Sequence, residues 1–357
     1  MAQKIEDFTL QHKPVIPIAL PYTKNTVPKN GIVLAADVGG TKTNMALFKV
    51  KDAQFTILNE KSYHTKDYTS FIEMVRSFHS NKLVKIDSIC LGVAGPVFEG
   101  KVQGTNFPWY IDGQEISKEC RMASVFIIND MEANAYGLAT LREKDFEIIH
   151  KGSEVPGNAV ILSPGTGLGE VGLYWDGTHY HPFASEGGHC DFSPRNTLEI
   201  ALWKYMHKKY THVSWERVLS GSGILDTYQF LIQYRKQTVP TFIQQSMLNK
   251  NAATVITNLA MQGKDAICRE TFDLFTKFLA MESAQLALKM KATGGIYIGG
   301  GIVPKIIKGM DRTVFNKGFI ESGRLNKLLE MVPVKLILNE KTAMLGAAYY
   351  GAMAFNN

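Results

Sequence analysis

An α/β protein built from two similar halves is what this sequence predicts, and three features carry the prediction. The first is the apolar run at residues 125–128, which leads directly into Asn129 and Asp130 and then into a helical pattern over residues 131–141. Unbroken apolar runs of that length are the mark of strands buried on both faces of a sheet. The second is a pair of glycine-rich turns, Val38-Gly39-Gly40-Thr41 and Ser163-Pro164-Gly165-Thr166-Gly167-Leu168-Gly169, each set between a strand and a strand returning from it. The third is length: 357 residues leave room for about two domains of roughly 150 residues each.

Taken in order, residues 1–30 carry Pro14, Pro17, Pro21 and Pro28 without a clean period and read as an irregular arm on the surface or on a neighbouring subunit. Residues 31–37 read as a strand, 44–50 as its return and 55–58 as a third, a β-meander whose first turn is made of glycine. A helix over 69–80 follows, then a strand over 88–93 that ends in Ala94-Gly95-Pro96, and then the strand and helix around Asn129. The second half repeats this grammar with strands at 159–162 and 171–175 on either side of its glycine turn. Helical patterns occupy 198–209, 223–234, 252–261 and a long 265–290; residues 295–301 read as strand into turn, and 332–338 as a last strand. A final helix over 342–354 keeps small residues on one face. Two halves that open alike suggest a duplicated architecture.

Composition narrows the class. Apolar content of 45% with 20% charged residues is ordinary for a globular protein with a sizeable core. The net charge of +6 is mild and dispersed, which argues against a nucleic-acid or membrane partner. Cys90, Cys120, Cys190 and Cys268 lie far apart with no Cys-x-x-Cys pair, so neither a disulfide framework nor a zinc ribbon is expected, and a reducing cytoplasm fits. No apolar run approaches the roughly 18 residues that cross a bilayer, and the apolar stretch at 15–21 is too short and proline-broken to read as a signal peptide.

The chemistry is carried by a few clusters. Asn129 and Asp130 stand at a strand-to-helix turn, where open α/β sheets place ligand chemistry; either the pair caps the helix, or Asp130 accepts a proton from a substrate hydroxyl. Asp37-Val38-Gly39-Gly40-Thr41 and Gly165-Thr166-Gly167-Leu168-Gly169 offer backbone N–H groups with no Cβ in the way of a phosphate. Neither is a P-loop, since the Gly-Lys-Ser/Thr order is missing, and neither is a dinucleotide fingerprint, since a strand follows. Asp37 either braces its turn or holds the magnesium that accompanies ATP. Ser185-Glu186-Gly187-Gly188-His189 sets an acceptor and a two-way hydrogen-bonding group on a glycine loop, a pattern suited to sugar hydroxyls. Glu216, two residues after Ser214, either opens a capped helix or joins the polyol ligands.

Jointly these motifs resemble the bacterial-type glucokinases. The resemblance rests on Asp37-Val-Gly-Gly-Thr41, Ala94-Gly-Pro96, Ile128-Asn-Asp130, Gly165-Thr-Gly-Leu-Gly169, Glu186-Gly-Gly-His189, Glu216-Arg-Val-Leu-Ser-Gly221 and Gly299-Gly-Gly-Ile-Val-Pro304, and it spans about residues 31–351. It implies the two-domain actin-like ATPase (ribonuclease H-like) fold, with a small domain over 31–140 plus 339–357, a large domain over 141–338, and a cleft between them. It implies phosphoryl transfer from ATP to the 6-hydroxyl of glucose, with Asp130 as general base and Asn106, Asn129, Glu186, His189 and Glu216 on the sugar. Gly39, Gly40, Thr41, Gly165, Thr166 and Gly167 would hold phosphates, Gly299, Gly300 and Gly301 would lie near the adenosine, and a homodimer is usual for the family. A kinase for mannose, an amino sugar or fructose, or a non-catalytic sugar sensor, are the alternatives. Two departures stand out: Asn44 replaces an arginine often found there, and only Cys190 follows the Glu-x-Gly-His motif, so no structural zinc is expected and Cys190 reads as a buried thiol.

Overall fold

The computed structural model describes residues 7–9, 15–20, 30–52, 54–79, 84–103, 109–121, 124–153 and 155–354. They form two compact units, one made of the described residues up to Asp145 with 173–184 and 339–354, the other of 146–172 and 185–338.

The first unit is built on a sheet of β1 (Asp7–Thr9), β2 (Asn30–Val38), β3 (Lys42–Lys51), β4 (Gln54–His64), β5 (Ser88–Val93) and β8 (Val125–Asn129); β6 (Lys101–Gln103) and β7 (Tyr110–Asp112) pair as a small hairpin apart from it. The order is β1-β4-β3-β2-β5-β8, antiparallel from β1 to β2 and parallel from β2 through β5 to β8. All six residues of β5 are buried, as a central parallel strand requires. The register sets Val38 opposite Val93 and Val93 opposite Asn129. The first glycine turn, the Ala94-Gly95 corner and the Asn129-Asp130 pair therefore leave the sheet at one edge, the carboxyl end of its parallel strands.

One face of this sheet packs Leu34, Ala36, Met45 and Leu91 against Met74 and Phe78 of the Phe71–Phe78 helix and Ile116 of the Gly113–Cys120 helix. Against the other lies the Thr342–Ala354 helix, and glycine makes its seat. A Cβ on Gly351 would stand 2.9 Å from Val33 Cγ1 and 3.0 Å from Cys90 Cβ, and Ser88 Oγ donates to the Gly351 carbonyl at 3.1 Å. A Cβ on Gly346 would overlap the Ala133 carbonyl oxygen, and one on Gly137 would overlap that of Thr342. The small residues seen along this helix are thus what lets it touch the backbone of the Asp130–Gly137 helix. Tyr350 closes the contact edge-on to Tyr136, ring centroids 4.9 Å apart.

The N-terminal residues depart from the expected surface arm. β1 adds to β4 at the sheet edge, and Ile16, Ile18, Ala19 and Leu20 are buried. Tyr180 N donates to the Pro17 carbonyl at 2.8 Å and Ala19 N to the Tyr180 carbonyl at 2.8 Å. Pro17 removes a donor but keeps its acceptor, so a proline-punctuated chain still pairs on one side while its apolar neighbours bury. Other boundaries also shift: the third strand runs to His64, and the helix expected to reach residue 141 ends at Gly137, continuing as a 3₁₀ turn over Leu138–Thr140.

A second sheet repeats the plan. β9 (Phe146–His150), β10 (Ala159–Pro164), β11 (Leu168–Trp175), β12 (Tyr180–Ser185), β13 (Gly295–Ile298) and β14 (Val334–Ile337) form a sheet of order β12-β11-β10-β13-β14-β9, with β10, β13 and β14 parallel and β9 antiparallel at the edge. Its core is threaded by the Ala266–Met290 helix, capped by Asp265, whose Oδ1 accepts from Cys268 N at 2.7 Å, and closed by Lys291 at φ 47. Phe272, Phe275, Phe278, Leu279 and Met281 are all buried along it. Among the described residues no helix is long and apolar enough to cross a membrane.

The glycine seat makes a stability prediction. Gly346→Ala forces a methyl into the Ala133 carbonyl, so urea unfolding should show a loss of about 2 kcal/mol or more, the scale of an overpacked core; unchanged stability would mean that the two helices slide apart freely.

Candidate active site

In the first unit the leading glycine turn is clamped by a threonine. Gly39 N donates to the Lys42 carbonyl at 3.1 Å, Thr65 Oγ1 donates to the Gly39 carbonyl at 2.7 Å, and Thr65 N reaches the Thr41 carbonyl at 3.0 Å. Thr43 and Thr65 are fully buried with their hydroxyls 3.0 Å apart. Gly39 and Gly40 remain half-buried and Thr41 exposed. Asp37, the last acid before this turn, is half-buried. Burial raises its carboxyl above the ordinary range, while a hydrogen bond from Asn44 and the charge of Lys42 pull it back. Asn44, standing where an arginine is often found, also accepts from Ser62 Oγ at 2.8 Å. It braces Asp37 without adding charge.

Asn129 is a cap. Its Oδ1 accepts from Met131 N at 2.8 Å and Glu132 N at 3.4 Å, and Asn129 N donates back to Glu132 Oε2 at 3.2 Å, which completes a capping box. Its Nδ2 donates to the Gly95 carbonyl at 3.0 Å, tying the end of β8 to the corner after β5. Asp130 follows as the first helical residue, half-buried, with Oδ1 2.9 Å from Met131 N. Gly92 makes room beneath it, since a Cβ there would stand 2.8 Å from Ala133 Cβ. Asn106 lies outside the described residues.

In the second unit the segments that carry the other predicted residues approach the turn between β10 and β11. Gly165 N donates to the Gly167 carbonyl at 2.8 Å, and the Gly165 carbonyl accepts from Gly221 N at 3.0 Å. Leu168 N donates to Glu216 Oε2 at 3.1 Å, and a Cβ on Gly167 would overlap that oxygen. A Cβ on Gly188 would overlap the Leu168 carbonyl, one on Gly300 the Pro164 carbonyl, and one on Gly299 would stand 2.8 Å from Ser163 Oγ. Of these glycines only Gly300 has a positive φ, 81; at Gly167, Gly188 and Gly299 something passes too close for a side chain, while a Cβ on Gly165 would meet nothing within 4 Å. Glu216 lies in a 3₁₀ turn, Trp215–Arg217, where the Ser214 side chain caps nothing. The cap belongs to Ser220, which accepts from Gly223 N at 3.1 Å at the start of the Gly221–Tyr234 helix. The carboxylate of Glu216 therefore braces the glycine turn.

Glu186 and His189 are both exposed on either side of buried Gly188, where His189 N donates to the Glu186 carbonyl at 3.0 Å. A cavity of about 310 Å³ opens beside His189, bordered by Lys209, Tyr210, His212 and Arg217. Its charges are paired: Lys209 with Asp226 at 2.6 Å, His212 with Asp191 at 3.0 Å, and the Arg217 guanidinium over the Tyr210 ring at 4.1 Å. Cys190 is exposed, against the expectation of a buried thiol. The short turn buries Gly188 and leaves both flanks at the surface. Among the described residues no three His, Cys, Asp or Glu side chains gather as metal ligands.

Residues 34–354 match the family model described as Glucokinase. The chain belongs to the glucokinase family. A glucokinase of Nostoc punctiforme is 34% identical over 337 residues, covering 90% of this chain and 99% of its own length. A crystal structure of glucokinase from an Antarctic psychrotroph superposes with a TM-score of 0.76 at 30% identity, covering 89% of this chain and 98% of that one. A ROK-family glucokinase from Streptomyces griseus, solved with glucose and AMPPNP, superposes with a TM-score of 0.61 at 18% identity over 90% and 99%, a likeness of fold alone. The fold is that of the actin-like ATPase sugar kinases.

Three residues escaped sequence reasoning. Thr65 gave no signal, because its clamp joins positions 26 residues apart. Glu170 and Glu282 are buried acids in the second unit, and a single charge in the stretch between Lys277 and Lys289 was the readable sign of the latter.

The capping geometry is testable. Asn129→Ala should cost about 1–2 kcal/mol in urea unfolding as the helix loses its cap, and Asn129→Asp, which keeps an acceptor, should cost less than half as much.

Proposed function

We propose that the protein is an ATP-dependent glucokinase that transfers the γ-phosphoryl group of ATP to the 6-hydroxyl of glucose, with Asp130 as the general base. The observation that carries this reading, beyond family membership over residues 34–354, is the division of labour at the end of β8. Asn129 and Glu132 complete the capping box between them, so the helix start does not need the Asp130 carboxylate. That carboxylate sits at the carboxyl end of parallel strands, where a substrate hydroxyl is expected.

In this reading Asn129, Glu186, His189 and Glu216, with Asn106, hold the remaining sugar hydroxyls, each of which both donates and accepts. The turns at Gly39-Gly40-Thr41 and Gly165-Thr166-Gly167 turn backbone donors toward phosphates, and Gly299, Gly300 and Gly301 border the adenosine. Phosphoryl transfer passes through a loose transition state, so the protein's task is to align the two oxygens and balance charge. Asp130 orients the 6-hydroxyl and takes its proton as the bond to phosphorus forms. Magnesium carried by the nucleotide supplies charge neutralisation when bound. Asp37 fits its needs, being a carboxylate at the mouth of the phosphate turn, and one carboxylate suffices where phosphates and water fill the other positions.

The test is Asp130→Asn assayed with glucose and ATP. Glucose affinity should stay within about tenfold while kcat falls by roughly 10² or more. Near-normal turnover would remove Asp130 from its role.

A further inference from the structure

Two carboxylates that the proposed chemistry does not use are buried in the second unit, one of them against the loop that carries Glu186 and His189. Glu170, on β11 just after the glycine turn, is 2% exposed, and Glu282, midway along the Ala266–Met290 helix, is 0% exposed. No protein group among the described residues hydrogen-bonds any of their four oxygens. The charged groups facing them are Lys289, whose Nζ stands 4.0 Å from Glu282 Oε1, and Arg195, which reaches Glu282 only through its field. The loop backbone rests directly on Glu170. A Cβ on Gly187 would overlap Glu170 Oε2, with Ser185 Oγ next at 3.1 Å, and Gly187 N is already committed to that hydroxyl at 3.0 Å.

We propose that Glu170, backed by Glu282, is a positioning residue for the loop from Glu186 to His189, and that glucose capture weakens as Glu170 ionises. The inference rests on the glucokinase reading. As a neutral acid Glu170 packs against Gly187 without needing a donor. Ionised, it is a desolvated charge with no protein donor, and it must draw one into the space that Gly187 fills, displacing the sugar ligands on either side.

The electrostatics agree in direction. Burial pushes Glu170 up to about 7, against the pull of Lys289. Burial and then the charge of Glu170 push Glu282 up to about 9, against Lys289 and Arg195. The two acids are coupled, so once one of them ionises its charge holds the proton on the other. Both shifts are upward, so the folded chain keeps protons that the unfolded chain has released. Stability is consequently lost as pH rises from the ordinary carboxylate range through these values.

The experiment measures KM for glucose at saturating ATP, and glucose Kd by calorimetry, from about pH 6 to about pH 8.5 on the full chain. In the wild type both should rise about fivefold or more while kcat holds, an effect of the size expected for a loop unseated by about 1 kcal/mol. Glu170→Gln should keep the low-pH values throughout, and its melting temperature should fall less steeply with pH than that of the wild type, the remaining slope belonging to Glu282. Glu170→Met, equally unable to ionise, should give the same flat profile and stands in if the glutamine variant does not fold. A flat wild-type profile, or an unchanged rise in either variant, overturns the proposal. Failure of the wild type to phosphorylate glucose at low pH would count against the kinase reading instead, and the calorimetric profile would still decide this one.

Discussion

The second unit depends on one steric constraint: the turn between β10 and β11 is approached by three other segments so closely that only glycine fits. Gly188 meets the Leu168 carbonyl, Gly300 the Pro164 carbonyl, Gly299 the Ser163 hydroxyl, and Gly167 the carboxylate of Glu216. The contacts at Gly188 and Gly300 are with backbone, which yields far less than a side-chain tip does. They draw Gly299–Gly301, Glu186–His189 and Glu216 into one neighbourhood although these segments lie far apart in the chain. This packing couples the turn proposed to hold phosphate to the residues proposed to hold the sugar.

The first unit solves the same problem differently. Three parallel strands end at one sheet edge, which aligns the clamped turn at Gly39, the Gly95 corner and the Asn129 cap through register alone. The Asp130–Gly137 helix is then fixed from behind by the last helix of the chain, glycine against backbone. Asp130 is thereby carried on an element anchored at both its cap and its back, the rigidity that its proposed role as general base requires to hold geometry within a fraction of an ångström.

The strands around both glycine turns, the buried run ending at Asn129 and the long apolar helix were legible because they are local patterns of period and composition. So was the repeated plan of the two halves. Which partner each residue meets was not. Glu216 reads as a helix cap because Ser214 precedes it, but its partner is an amide 48 residues earlier. The prolines of the N-terminal stretch mask an apolar alternation that buries Ile16 and Ile18. Glycine in a turn suggests a need for positive φ, yet Gly39, Gly167 and Gly188 are there to admit a neighbour. Such contacts are set by tertiary packing, which leaves no local trace.

The most direct measurement of this account is glucose affinity by calorimetry in Gly188→Ala, with circular dichroism confirming that the variant is folded. The methyl group would press on the Leu168 carbonyl, so the glycine turn and the Glu186–His189 loop would separate, and affinity should fall by about tenfold or more, the equivalent of roughly 1.4 kcal/mol. Wild-type affinity in that variant would contradict the claim that glycine packing holds the site together.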